Sequence, residues 1–251
     1  MSSTGTMTKV FARPKSLTDK QFTYCPGCDH GLITRILAGA IDKLGVQERT
    51  VFVAPVGCAV FAYEWFRCDG VQASHGRAAA VATGIKRANP DLIVISYQGD
   101  GDLAAIGTAE TIHAANRGEP ITVIFVNNQI YGMTGGQMAP TTLAGQRATS
   151  CPEGRDVRTM GHPLPVAEMI ATLGAPAYVT RQSLHDPKHI VQATKAVEKA
   201  LRYQVEGTGY SLVEILATCP TGWKMSPTAA HKHVADVVMG AFPVGDLIDR
   251  G

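Results

Sequence analysis

Residues 91 to 128 constrain this chain more than any other stretch: they read DLIVISYQ, then GDGDLAAIGTAETIHAANRGEP, then ITVIFVNN. An apolar run of strand length ends in Gly99, Asp100, Gly101 and Asp102. A segment with helical spacing follows, and a second apolar run ends in Asn127 and Asn128. The pattern predicts a βαβ unit with parallel, adjacent strands, so Asp100 and Asn128 emerge at one sheet edge although 28 positions apart. Ligands of open α/β sheets sit at that carboxyl edge. The glycines let the backbone turn tightly against a diphosphate, and the start of the helix presents unpaired N–H groups to it. A carboxylate and an amide carbonyl are hard oxygen donors, suited to Mg²⁺ held jointly by protein and phosphate. Gly-Asp-Gly alone also marks ordinary tight turns. The second half of the pattern, one crossover away at a strand end, favours a magnesium-diphosphate clamp.

Such a GDG, one crossover and NN resembles the thiamine diphosphate fingerprint. The resemblance implies that Asp100, Asn128 and the backbone carbonyl of Ile130 bind the metal.

Elsewhere the chain continues the α/β alternation. Residues 32–44 and 187–203 have amphipathic helical spacing, the latter with Pro at its first turn, and 165–173 reads as a third helical segment. Strands are expected at 50–56, 176–182 and 210–217, giving five or six in a doubly wound, mostly parallel sheet. With 251 residues and 45% hydrophobic content, one large domain over 21–225 is expected. An irregular arm at 1–20 and a docking tail at 226–251, with a short helix at 227–239, would flank it. A net charge of +2 with 18% charged residues carries no sign of nucleic acid or a polybasic membrane surface. No apolar stretch is long enough to span a bilayer, and the amino terminus lacks the apolar core of a signal peptide, so a cytoplasmic protein is expected.

Six cysteines without an export signal point to thiols or metal ligands rather than disulfides. Cys25-Pro-Gly-Cys28 precedes a helix and reads as a redox dithiol, half a zinc site or half an iron-sulfur site. Cys58 and Cys219 each follow a strand end, so a parallel sheet can bring them to the edge that carries the clamp. Four thiolates from three segments suit a [4Fe-4S] cluster, with zinc or inert core thiols left open on spacing alone. Cys68 and Cys151 have no spaced partner and are assigned to the core.

Residues 129–163 form a long Gly-, Thr- and Pro-rich segment directly after the clamp, a length that is usually functional. It is expected to wrap the cofactor, with Tyr131, Gly132, Met133 and Thr134 the nearest contacts. Arg147, Arg155 and Arg158 within it are expected to be solvated. Glu64 is read as structural.

CPGC, PVGC, HGRAAAVATGIKRANP, YQGDGDLAAIGTAETIHAANRG, FVNNQIYGMTGGQMAPTT and TCPTGW, in this order, are similar to the beta subunit of 2-oxoacid:ferredoxin oxidoreductases. The variant resembled acts on 2-oxoisovalerate or related acids, and the likeness runs from residue 10 onward. It implies the diphosphate-binding half of the thiamine diphosphate fold and a [4Fe-4S] cluster on Cys25, Cys28, Cys58 and Cys219. It also implies His75, Gly76 and Arg77 beside the cofactor, where they could bind anions at a helix N-terminus. Asp29 departs from the family pattern, which has Gly there, and a charge beside the cluster should lower its potential. The implied reaction is coenzyme A-dependent oxidative decarboxylation with electrons passed to ferredoxin. The pyrimidine-activating Glu would come from another subunit, among alpha and gamma/delta-type partners. Two alternatives are a non-redox thiamine-dependent lyase or ligase with structural cysteines, and a non-catalytic binding subunit.

Overall fold

Side chains that alternate across a buried parallel sheet sort this chain into two apolar layers. The computed structural model describes residues 12–251. Six strands run parallel: β1 (Thr50–Ala54), β2 (Asp69–Gln72), β3 (Ile93–Gly99), β4 (Thr122–Asn127), β5 (Tyr178–Ser183) and β6 (Ser211–Leu216). A seventh, β7 (Gly245–Asp249), pairs antiparallel with β5, and the spatial order is β2-β1-β3-β4-β6-β5-β7. Phe52, Ile95, Ile124 and Val126 face one side, where they meet α1 (His30–Leu44). Their neighbours Val53, Val94, Val123 and Phe125 face the other, under α2 (Ala78–Ala88), α3 (Thr108–Asn116) and α4 (Val166–Ala171). The first layer is completed by α5 (Pro187–Val205), capped by the Asp186 side chain on the His189 N–H and burying Ala193, Val197 and Leu201. This is the doubly wound α/β sheet expected from the alternation of elements. Among the described residues no helix is long and apolar enough to cross a membrane.

In this sheet two strands are additional to the five whose positions the sequence marks. All four residues of β2, Asp-Gly-Val-Gln, are exposed at the sheet edge, so no apolar run marks them. The other, β7, lies in the stretch expected to be a docking tail. After α6 (Pro227–His233), Val234, Val238 and Phe242 bury against Leu143 and Leu216, and β7 then closes the β5 edge. Residues 226–251 are thus part of the globular unit.

The N-terminal arm needs the same correction where it is described. Residues 1–11 lie outside the described residues, but Leu17 is 4% exposed, bridges Phe66 and belongs to the main core. The Thr18 N–H donates to Trp65 O at 2.7 Å, and the Arg67 N–H to Ser16 O at 2.6 Å. One buried apolar side chain and these backbone hydrogen bonds dock this segment on its own domain. Leu17→Ala is therefore expected to cost about 2–5 kcal/mol in urea unfolding of the chain; a free arm would show no change.

Candidate functional site

Register brings the two halves of the motif together. Gly99 pairs with Val126 across β3 and β4, so Asp100 and Asn128 leave the same edge side by side. Asp100 is 3% exposed, and its Oδ2 accepts from Thr141 Oγ1 at 2.5 Å. The Asn128 amide stands 3.0 Å from Asp100 Oδ1 and 2.8 Å from the Ile130 carbonyl oxygen. With nitrogen inward it donates to both; with oxygen inward, three acceptors converge. Octahedral Mg²⁺ at about 2.0–2.1 Å sets neighbouring oxygens about 2.9 Å apart, so the spacing suits that ion. Gln129 makes the convergence possible by adopting a left-handed φ of 57°, and its carbonyl accepts from Thr142 Oγ1 at 2.6 Å. Trp223 Nε1 holds the Asn128 carbonyl at 3.0 Å.

Asp100, Asn128 and Ile130 line a cavity of about 280 Å³ together with His75, Gly99, Gly101, Asp102, Tyr131, Gly132, Met133 and Thr134. Among the described residues no lysine or arginine lines it. A diphosphate there would be neutralised by a cation and backbone N–H groups rather than by basic side chains. Asp102 reaches the cavity, but its carboxylate is committed to the protein. Oδ1 accepts from the Gly76 N–H at 2.5 Å and lies 3.0 Å from His75 Nδ1, while Oδ2 accepts from Gln98 at 2.6 Å. Gly76 supports the loop from behind, with φ +78°, where an added Cβ would stand 2.7 Å from Ile106. Arg77, expected beside the cofactor, turns away to Glu110 at 2.8 Å and to the Ile106 carbonyl. A local carboxylate captures it before it can reach the cavity.

A second cavity of about 250 Å³ abuts the first and is lined by Cys25, Cys28, Cys58 and Cys219. Both cavities share His30, Cys58, Asn128, Gly132 and Met133. Gly132 is the thin part of this wall: a Cβ there would stand 3.1 Å from Cys219 Sγ and 3.8 Å from Cys58 Sγ. Among the described residues, the group of three or more potential ligand atoms within 4.8 Å of one another is His185, Asp186 and His189, which includes none of these sulfurs. One tetrahedral zinc with bonds of about 2.3 Å needs sulfurs closer than that, so the wider spacing suits a polynuclear centre. Burial pushes the Cys28 thiol up to about 12 and Cys219 up to about 11, and raises Cys58. Ligation would have to displace those protons.

Asp29 is not the free charge its position in sequence implies. It is 4% exposed, its Oδ2 accepts from the Thr218 N–H at 2.8 Å, and its Oδ1 lies 3.3 Å from His231 Nε2. The carboxylate raises the His231 pKa, so an imidazolium offsets the charge at lower pH. It also ties the Cys25–Cys28 turn to the chain beside Cys219.

Sequence reasoning missed His30, Thr141 and Trp223. His30 is 2% exposed, lies 2.5 Å through Nδ1 from the Tyr97 hydroxyl, and is driven down to about 4 by burial. Its place just after CPGCD was the available signal; Thr141 and Trp223 had none beyond neighbouring the motifs. Arg155, expected in solvent, is 6% exposed and donates to the carbonyls of Pro140, Thr142, Met160, Gly161 and His162. It pins the long segment that folds over the cavity. Glu64 pairs with Lys20 at the surface.

The chain matches the family model for the thiamine pyrophosphate enzyme C-terminal TPP binding domain over residues 55–215. It is 51% identical over 241 residues to the ketoisovalerate oxidoreductase subunit VorA of Methanothermobacter thermautotrophicus, covering 96% of this chain and 50% of that one. It is 36% identical to the 2-oxoglutarate synthase subunit KorB of Archaeoglobus fulgidus, covering 85% and 75%. The fold superposes with a TM-score of 0.77 at 26% identity, covering 96% of this chain and 86% of the other, on a 2-oxoglutarate:ferredoxin oxidoreductase from Magnetococcus marinus, solved with 2-oxoglutarate, coenzyme A and succinyl-CoA bound. The chain spans about half the length of the ketoisovalerate relatives it matches.

Burial also pushes Asp100 up to about 7 from the ordinary 3.8, against the hydrogen bonds that favour its charged form. The folded chain keeps this proton where the unfolded chain has lost it, so without metal its stability falls as pH rises between about 4 and 7. Asp100→Asn is expected to flatten that fall and raise Tm at pH 7.5, by roughly 2–4 °C per kcal/mol of relief. Thermal scans of the metal-free variant and wild type across that window check this; parallel curves would refute it.

Proposed function

This chain belongs to the family of 2-oxoacid oxidoreductase subunits that carry the thiamine pyrophosphate-binding domain. From that membership we propose that it is the cofactor-holding subunit of a 2-oxoacid:ferredoxin oxidoreductase. The reaction is coenzyme A-dependent oxidative decarboxylation of a 2-oxoacid to acyl-CoA and CO₂. The observation that carries this reading is the shared wall: the Asp100 carboxyl, the Asn128 amide and the Ile130 carbonyl converge on one side, with four cysteines on the other.

When bound, thiamine diphosphate supplies a nucleophilic carbon for the 2-oxo group, and a [4Fe-4S] cluster supplies a one-electron acceptor. Asp100, Asn128 and the Ile130 carbonyl would hold Mg²⁺ against the diphosphate, with Gly101, Gly99 and Thr134 beside it. His75, fixed by Asp102, and Tyr131 would border the thiamine, with Gly132 and Met133 closing the wall. Cys25, Cys28, Cys58 and Cys219 would ligate the cluster on the other side of that wall. Buried and neutral, His30 would keep water out of the space between the two groups.

No glutamate lines the cavity among the described residues. In this reading the carboxylate that polarises the pyrimidine would come from a partner, an alpha-type subunit in a complex with gamma/delta-type subunits, which passes electrons to ferredoxin in the cytoplasm. Exposed Val56, Phe61, Ile106 and Met133 border the two cavities and support such a partner surface.

Anaerobic purification with co-purifying subunits should yield a brown protein whose reduced form gives a [4Fe-4S] EPR signal. Acyl-CoA formation from branched 2-oxoacids or 2-oxoglutarate should reduce a low-potential dye. Cys219→Ser is expected to lose the signal and at least about 10²-fold in dye reduction, a transition-state loss of roughly 2.7 kcal/mol, while still binding thiamine diphosphate. A colourless, zinc-containing protein would replace this reading with a non-redox thiamine-dependent lyase or ligase.

A further inference from the structure

Strand register builds a buried charge train that ends at the oxygen clamp. Arg181 on β5 lies directly across the ladder from Glu214 on β6, and Glu214 is in register with Phe125 on β4. Because side chains alternate, Asn127, two residues beyond Phe125, shares the face of Glu214. The Arg181 side chain is 1% exposed and that of Glu214 is 0%. Arg181 Nε donates to Glu214 Oε2 at 2.9 Å, and its other two nitrogens donate to the Glu168 carboxylate on α4 at 2.7 and 2.5 Å.

Neutralised in this way, Glu214 still has Oε1 available, which accepts from Asn127 Nδ2 at 2.6 Å. That bond fixes which way the Asn127 amide faces. Its Oδ1 and its backbone carbonyl then both accept from Gln129 Nε2, at 2.9 and 2.7 Å. Gln129 is the residue held left-handed at φ 57°, a conformation that residues with side chains rarely adopt. Asn128 and Ile130 flank it, so its backbone angles set where their oxygens point. Asn127 itself lies behind the cavity wall and does not line it.

We infer that Asn127, oriented by the Glu168–Arg181–Glu214 train, is the positioning residue that aims the Asn128 amide and the Ile130 carbonyl at the metal. This rests on the reading of Asp100, Asn128 and Ile130 as magnesium ligands. The train works through Gln129 and touches neither metal nor cofactor.

The test is a Mn²⁺ titration followed by EPR, with thiamine diphosphate present, on the full chain and its co-purifying subunits. Asn127→Leu should weaken Mn²⁺ binding by about 10–100-fold, with Glu214→Gln shifting it in the same direction. Asn127→Leu combined with Gln129→Gly should recover most of the loss, because glycine takes a positive φ without side-chain support. Lys86→Met serves as the control. It removes a buried ammonium that donates to Pro90 O and Leu92 O, away from the clamp, and should leave the affinity unchanged. Unaltered Mn²⁺ affinity in Asn127→Leu, an equal loss in Lys86→Met, or no recovery by glycine would overturn the inference. If Asn127→Leu does not fold, the size-conserving Glu214→Gln carries the same criteria. Failure of the wild type to bind Mn²⁺ with thiamine diphosphate would instead overturn the metal reading on which this one rests.

Discussion

A buried carboxyl group set against a backbone carbonyl and an amide, with no lysine or arginine among the described residues lining its cavity, is unfavourable in a folded chain unless something positive is to be placed between them. Asp100 is in that situation, and much of the surrounding structure makes it tolerable. Thr141 donates to its outer oxygen, the Asn128 amide can turn its nitrogen inward, and Trp223 restrains the backbone that carries Asn128. The long segment after β4 supplies Thr141 and Thr142, and it is held in shape by Arg155 through its own carbonyls. The fold keeps the oxygens close and prevents them from relaxing apart.

The thiol wall follows a different logic. Its four cysteines come from three separate segments, and two of those segments are joined by hydrogen bonding to the backbone. Asp29 accepts from the Thr218 N–H, and the Thr218 hydroxyl donates to Gly27 O at 2.7 Å, so the first turn and the chain preceding Cys219 are tied directly. A glycine at position 29 would lack the carboxylate that makes the first of these ties. The acidic residue therefore does mechanical work here besides any electrostatic effect, and His231 moderates the latter.

Much of this was legible in the residues themselves. Continuous apolar runs of strand length located the central strands, and the GDG and NN turns located the cavity because both features are local and strand ends are fixed by topology. What was not legible depended on contacts between distant segments. Arg155 looks like any loop arginine until its carbonyl partners fold around it, and Arg77 like a phosphate ligand until Glu110 reaches it. Leu17 is too isolated to mark core in a polar context, the apolar run of 234–242 does not itself say that it packs on Leu143 and Leu216, and β2 is too polar to mark a strand. Exposed edges and tethered ends obey tertiary rather than periodic rules.

The glycine between the chambers has a further consequence. Because position 132 contributes only backbone to the partition, the oxygen-lined and sulfur-lined compartments are separated there by the thickness of a single peptide, with no side chain to insulate one from the other. Remodelling either compartment to accept a different guest would displace the boundary of its neighbour. Their shapes in this chain are therefore coupled at that position.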